Sequence, residues 1–348
     1  SLTPPPPQTP QRASRRQRQM CIRDSADLVI TSTRNEIDEQ YRLYSYYDPA
    51  RMRVIPPGTD LVEFHPPQEN ADYAFKNDIN RFFRDPNKPM ILSLSRPDER
   101  KNILTLIEAY GESRTLQNVA NLLIIAGTRD DIHDLESGAQ NVLTNILLLI
   151  DTYDLYGNVA IPKHHKPEDV PEIYRMVAAS NGVFINPALT EPFGLTLLEA
   201  AASGLPVVAT ENGGPMDIIG NCHNGILINP LDKGEMSKAL LGLLLDKEAY
   251  IQASRNGLKG VKKNYTWSAH AKAYIKEITK LEGRYTPLPE QGSARRRIRY
   301  RDRAIFTDLD QNLIGDSKAM NAFADVIRDN HKCVIFGIAT GRRIDSAL

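Results

Sequence analysis

The feature that most restricts what this chain can fold into is a series of five short apolar runs, each bounded by turn-forming residues. They are "MILSLS" (90–95), "LLIIAG" (122–127), "GVFINP" (182–187), "PVVAT" (206–210) and "GILIN" (225–229). Runs of this length and composition read as strands covered on both faces, the pattern of a parallel sheet. Helical stretches such as "NILTLIEAYGE" and "KPEDVPEIYRMVAAS" lie between them. The alternation predicts an α/β fold, a Rossmann-like doubly wound parallel sheet spanning about 66–281. Ligands of such sheets sit beyond the carboxyl ends of the strands. Function is therefore expected in the loops after "LSLS", "IIAG" and "VFINP".

Composition narrows the class. The 348 residues are 41% hydrophobic, enough for more than one domain with a core of its own. Lys plus Arg and Asp plus Glu both total 43, so no overall field favours nucleic acid or a membrane surface. No apolar run reaches bilayer length. Cys21, Cys222 and Cys333 are scattered, without the paired spacing of metal or redox sites. The expectation is a soluble protein of a reducing, cytoplasmic compartment, with neither nucleic acid nor membrane among its partners.

Around the central domain the chain is uneven. Residues 1–25 are rich in Pro, Arg and Gln with little to bury, and are expected to be a disordered or artefactual leader. Four consecutive prolines resist the amphipathic helix that a transit peptide needs. Residues 26–65 open a short α/β piece: "DLVITST" as a strand, a helix from Asn35 to about Tyr46, then "RVIPPGTD", a strand stopped by Pro56-Pro57-Gly58. Residues 282–301 read as a polar linker, whose cluster Arg295–Arg297 is better explained by solvation than by RNA or acidic lipid. A second α/β unit begins at 302 and has no helix stop signal before Leu348. The chain is expected to be a piece cut at both ends.

The chemistry concentrates in "TEPFGLTLLEAAASG" (190–204). The Phe193-Gly194 turn lets the backbone bend sharply and approach a ligand. Leu195 and Thr196 then open a helix whose free N–H groups suit an anion. Glu199 follows within its first turns, placed to accept ribose hydroxyls, with Glu191 facing an adjacent sugar. Taken alone, Glu191 and Glu199 are better explained as two solvated acids at a helix start. Other strand-end loops tip the balance. Arg96 and Lys101 in "RPDERKN" form a pair of cations able to clamp a diphosphate. Gly127 and Arg129 follow "IIA", and Gly213-Gly214 before a helix allows another close backbone approach to phosphate or sugar. His164-His165 has no third ligand at metal-binding spacing.

"LSRPDERKN", "IIAGTRDD", "IPKHHKPEDVPEIYRMVA", "NPALTEPFGLTLLEAAASGLPVVATENGGPMDI" and "NGILINP" together resemble the donor-binding domain of retaining glycosyltransferases of the two-Rossmann (GT-B) kind. Within those, the wording is similar to the sucrose-phosphate synthases from about Ala26 to Leu281. Pro192 after the first glutamate, with "PKHHKPEDV", separates it from the sucrose synthases, which usually have alanine there. The resemblance implies UDP-glucose as donor and fructose 6-phosphate as acceptor, with transfer at retained configuration and no cofactor. It implies that Arg96 and Lys101 hold the diphosphate and stabilise the leaving phosphate, Glu199 takes the ribose and Glu191 the glucose ring. Gly127, Phe193, Gly194, Leu195 and Thr196 would complete the donor site, with Arg129 and the Lys163-His164 loop bordering the uracil. Residues 26–65 would be the remnant of the N-terminal acceptor domain, where Arg34 faces the acceptor phosphate. The C-terminal helices, with Trp267, would pack back across that domain. Another retaining GT-B transferase, such as a sucrose synthase, and a module that holds nucleotide-sugar without turnover stand as alternatives.

"FTDLDQNLIGD" and "FGIATGR" resemble the first two motifs of haloacid-dehalogenase-type phosphatases. That resemblance implies Asp308 as nucleophile, Asp310 as acid/base, Thr340 in the second motif, and Mg²⁺ held beside Asp308 and Asp310. Asn312 stands where that family has threonine, which weighs against phosphatase activity. The module order also implies a sucrose-phosphate phosphatase as a candidate protein partner.

Overall fold

The computed structural model describes residues 27–43, 47–68, 71, 73–282, 303–307, 317–330 and 334–338. The leader, most of the linker, and Asp308, Asp310 and Thr340 lie outside the described residues. The chain divides into two compact units, Ser1–Tyr285 and Thr286–Leu348.

The first unit begins with a parallel pair, β1 (Val29–Thr31) and β2 (Met52–Val54). Between them the expected single helix is instead a π-helical turn, Glu36–Gln40, followed by a 3-10 turn, Tyr41–Leu43. Short α1 (Lys76–Asn80) leads into the main sheet. Its members in chain order are β3 (Met90–Leu94), β4 (Asn121–Ile125), β5 (Val159–Ala160), β6 (Val183–Asn186), β7 (Val207–Thr210) and β8 (Gly225–Ile228). In space they run β5-β4-β3-β6-β7-β8, all parallel. All five runs marked in the sequence are there. The two-residue edge strand β5 carried too short an apolar signal to be read.

Successive side chains of a strand point to opposite faces, and both faces here are covered. Leu92, Leu123, Phe184 and Val207 pack into one core, while Ile91, Ile124, Ile185 and Val208 pack into the other. The second face is closed by Leu106 and Ile107 of α2 (Ile103–Glu112), which precedes α3 (Arg114–Val119), and by Leu143 and Ile146 of α4 (Ser137–Thr152). The first is closed by Tyr174 and Val177 of α5 (Val170–Ala179), Leu197 and Leu198 of α6 (Leu195–Ala202) and Ile218 of α7 (Pro215–Cys222). Next come α8 (Lys233–Leu245), α9 (Lys247–Asn264) and α10 (Trp267–Glu282). α10 is fastened to β2 and the residues just after it: the His270 ring nitrogen Nδ1 lies 2.8 Å from the Pro56 carbonyl oxygen, and Arg53 pairs with Glu277 at 3.2 Å. In the second unit, β9 (Arg303–Thr307) and β10 (Val334–Ile338) are parallel neighbours joined through α11 (Ser317–Asn330). No helix among the described residues is long and apolar enough to cross a membrane.

The strand order reverses between β3 and β6, which opens a crevice at their carboxyl ends. Asn102 spans that edge. Its side-chain amide donates to the Pro187 carbonyl beyond β6 (3.0 Å) and the Pro230 carbonyl beyond β8 (2.8 Å), while its Oδ1 accepts from the Thr105 hydroxyl. Its backbone is left-handed, φ 54 and ψ 34, a conformation that asparagine tolerates better than most residues. Asn102→Ala leaves two carbonyls unpaired and keeps the strained backbone, so we expect a loss of about 2–4 kcal/mol in chemical denaturation. Asn102→Gly relieves the strain alone and should lose about half as much. Equal losses in the two variants would refute this account.

Candidate functional site

Beyond β3 the chain turns through Ser95 and Arg96 into a 3-10 turn, Glu99–Lys101, capped by the Asp98 carboxylate on the Arg100 N–H. The Leu189 N–H donates to the Arg100 carbonyl at 2.9 Å, which ties this loop to the one after β6. Lys101 thereby reaches Glu191: Nζ lies 2.8 Å from Oε2, with side chains 24% and 12% exposed. Asn186, the last residue of β6, donates to the same Oε2 at 3.0 Å. One carboxylate oxygen thus receives a lysine and an amide. Arg96, by contrast, makes no side-chain hydrogen bond or ion pair among the described residues, acts on Asp98 only through its charge, and is exposed.

The Glu191 loop is held by its neighbour. The Glu191 N–H donates to the Asn212 carbonyl, and its carbonyl accepts from the Gly214 N–H at 2.9 Å. Gly213 has φ 109, and a Cβ there would meet the Glu191 carbonyl oxygen at 2.1 Å. The two glycines thus let two strand-end loops touch each other, a contact that the reading of Gly213-Gly214 as a ligand approach did not foresee. Gly194, at φ 102, makes the turn into α6.

These loops surround a cavity of about 470 Å³ at the strand-order reversal, within the size range of small-molecule sites. Arg96, Lys101, Gly127 and Glu191 line it, and so do Phe193 and Gly194. Leu195 and Thr196 follow on its wall, so the unpaired N–H groups of the start of α6 lie at the cavity edge. An anion is favoured there by those amides, the helix dipole and two cations.

Other expected residues do not line this cavity. Arg129 is turned inward and buried, its guanidinium 3.4–3.5 Å from the Pro162 and Ile161 carbonyls, and burial lowers its pKa. Lys163 donates to the Asp130 carbonyl, and His164 faces the Asp130 carboxylate at 3.5 Å; both are exposed. The structure brings the His165 ring to the cavity instead. Its Nδ1 is buried without a hydrogen-bond partner, and burial holds its pKa below the ordinary value. In an extended loop neighbouring side chains point opposite ways, which is the signal that separates His165 from His164. Asn186 was also missed; a polar residue closing an apolar strand marks it. Arg34 lies at a different cavity of about 380 Å³, with its N–H on the Asp217 carboxylate and its guanidinium on Asp38 at 2.9 Å.

Glu199 sits behind the wall, one turn along α6 from Thr196 on the same face. It accepts from the Tyr174 hydroxyl at 3.1 Å. Burial raises its pKa, and the Tyr174 hydrogen bond offsets part of that. No group of three or more His, Cys, Asp or Glu among the described residues is placed to hold a metal ion.

A doubly wound domain with a cavity at its switch point suits an anionic ligand, and the comparisons give its family. The model for glycosyl transferases group 1 matches residues 74–260, and that for sucrose-6F-phosphate phosphohydrolase matches residues 301–348. The chain belongs to the group 1 glycosyltransferases. Within them it resembles the sucrose-phosphate synthases. It is 47% identical over 291 residues to "Probable sucrose-phosphate synthase 1" of Oryza sativa subsp. indica, covering 73% of this chain and 27% of that protein. It is 47% identical over 298 residues to "Sucrose-phosphate synthase 1" of Arabidopsis thaliana, covering 75% and 28%. The sucrose-phosphate synthase structure from Thermosynechococcus elongatus superposes with a TM-score of 0.60 at 26% identity, over 77% of this chain and 61% of that one. The chain thus spans roughly a quarter of the length of the curated relatives it matches.

The buried Glu199 carboxyl carries a stability cost. A carboxyl with a raised folded pKa binds its proton more tightly folded than unfolded, so stability falls as pH rises from the unfolded to the folded value. Glu199→Gln keeps an acceptor for Tyr174 without the charge. It should raise the thermal midpoint of the ligand-free protein at pH 7, with the gain vanishing below about pH 4. A midpoint lowered at pH 7 would contradict this.

Proposed function

We propose that this chain is the donor-binding part of a sucrose-phosphate synthase, which transfers glucose from UDP-glucose to fructose 6-phosphate with retention, giving sucrose 6-phosphate. The observation that carries the reading is the gathering of Arg96, Lys101, Glu191 and the start of α6 around one cavity. Arg96 is free to take the diphosphate, whereas Lys101 must share itself between the phosphate and Glu191. Both cations, with the α6 amides, stabilise charge on the departing UDP, where transition-state stabilisation is most effective. Glu191, oriented by Lys101 and Asn186, is aimed at the glucose hydroxyls. The acceptor attacks on the face that UDP leaves, and the donor phosphate takes its proton. Glu199 holds the ribose hydroxyls, and His165 takes the uracil-side place first expected of His164.

The same reading assigns the acceptor phosphate to Arg34 and places the protein in the cytoplasm. A sucrose-phosphate phosphatase as partner is proposed from the module order alone. Any Mg²⁺ of the unit matched at residues 301–348 would be held by Asp308 and Asp310. A second reading is a module that binds nucleotide-sugar without turnover.

Calorimetry with UDP, ADP and GDP tests the donor site. UDP should bind best. Arg96→Ala should weaken it about tenfold or more while leaving the thermal midpoint unchanged, since Arg96 has no hydrogen bond or ion pair among the described residues to lose. Glu199→Ala should weaken it as well. A folded chain that ignores UDP would remove the basis of the proposal, and release of sucrose 6-phosphate from UDP-glucose and fructose 6-phosphate would decide between the two readings.

A further inference from the structure

Tyr174 lies in the middle of α5 with none of its surface exposed. Its ring is fixed by edge contacts to Phe64 (6.0 Å, 71°) and Phe184 (5.7 Å, 60°). Packing of this kind leaves the ring no alternative rotamer. The hydroxyl emerges at the base of α6, 3.1 Å from Glu199 Oε2 and 3.3 Å from the Thr196 carbonyl oxygen. A hydroxyl carries one hydrogen, and the charged oxygen is the stronger acceptor. No other side-chain donor reaches the Glu199 carboxylate among the described residues.

A core tyrosine needs some acceptor, and a backbone carbonyl would satisfy it. Here the Thr196 carbonyl is within reach, yet the hydroxyl lies nearer to the one carboxylate of α6, three residues beyond cavity-lining Thr196. A glutamate has three side-chain torsions, so its carboxylate is aimed only if something holds it. We propose that Tyr174 is a positioning residue of the donor site, whose hydroxyl aims the Glu199 carboxylate and so sets the preference for ribose over deoxyribose in the nucleotide. The inference rests on the reading of Glu199 as the ribose acceptor. Tyr174 occupies Oε2 of the carboxylate, so Oε1 is the acceptor that a ribose hydroxyl would take at a fixed place. Burial, the largest influence on the raised pKa of Glu199, also makes an unaimed carboxylate costly there.

The test uses the full chain, UDP and 2′-deoxy-UDP, with affinities from calorimetry. The unaltered protein should prefer UDP by about tenfold or more, because an unpaired buried acceptor penalises the deoxy ligand. In Tyr174→Phe the preference should fall below about threefold, through weaker UDP binding, with deoxy-UDP binding within about twofold of the unaltered protein. A purely structural tyrosine would weaken both ligands alike, and that result would overturn the proposal, as would a fully retained preference. Unaltered protein that binds the two ligands equally would overturn the ribose role of Glu199 and this inference together, leaving the diphosphate clamp standing. Failure to bind UDP at all would remove the donor-site reading itself. If Tyr174→Phe does not fold, 3-fluorotyrosine placed at position 174 keeps the ring in the core. Its ¹⁹F signal should shift at saturating UDP and move less at saturating deoxy-UDP; equal shifts, or none, would overturn the proposal.

Discussion

The side-chain amide of Asn102, shared between the carbonyls of Pro187 and Pro230, is the contact on which the functional edge of this domain depends. A parallel sheet whose strand order reverses leaves a gap between its two central loops. The Leu189–Arg100 backbone bond and the Lys101–Glu191 pair join the loops after β3 and β6, and a further tie is needed to bring in the loop after β8. Asn102 supplies the tie from inside the protein, where hydrogen bonds face no competition from water. The turn that carries Lys101 ends at Asn102, so the lysine is delivered to Glu191 by the same device.

Charge at the site is arranged in two ways. Arg96 is exposed and bound by no hydrogen bond or ion pair among the described residues, available for an incoming anion at little cost. Lys101 is half-buried and already satisfied by Glu191, so its charge is stored rather than displayed. A buried pair of this kind adds little net stability, and its value lies in holding Glu191 at one orientation together with Asn186. Glu199 shows the opposite economy, a carboxyl kept in a poorly solvated place with one hydroxyl for company. Binding sites often retain groups that are unfavourable for the fold alone.

Much of the framework was legible in the residues. The five apolar runs had the length and flanks of buried strands, and all five became members of one sheet. Gly194 marked the turn into α6, and Arg96, Lys101, Gly127 and Glu191 fell in strand-end loops because any doubly wound sheet puts them there. The misreadings have separate physical causes. β5 is two residues long and is defined by its neighbour β4 rather than by its own composition. Residues 36–43 coil as π and 3-10 turns where a continuous helix was expected. Gly213 answers to Glu191, a partner from another loop that local sequence does not reveal.

The sequence by itself determined which segments become strands and helices and where the chain must turn, because those choices depend on neighbours a few residues away. Only the tertiary structure decided which side chains meet. Lys101 and Glu191 stand ninety positions apart, and their pairing requires two loops to be brought together by the sheet between them. The burial of Arg129, the presentation of His165 in place of His164, and the reach of Tyr174 to Glu199 depend likewise on how one loop or helix rests on another. Side-chain direction at a loop end is set by these long-range contacts, and local periodicity holds no record of them.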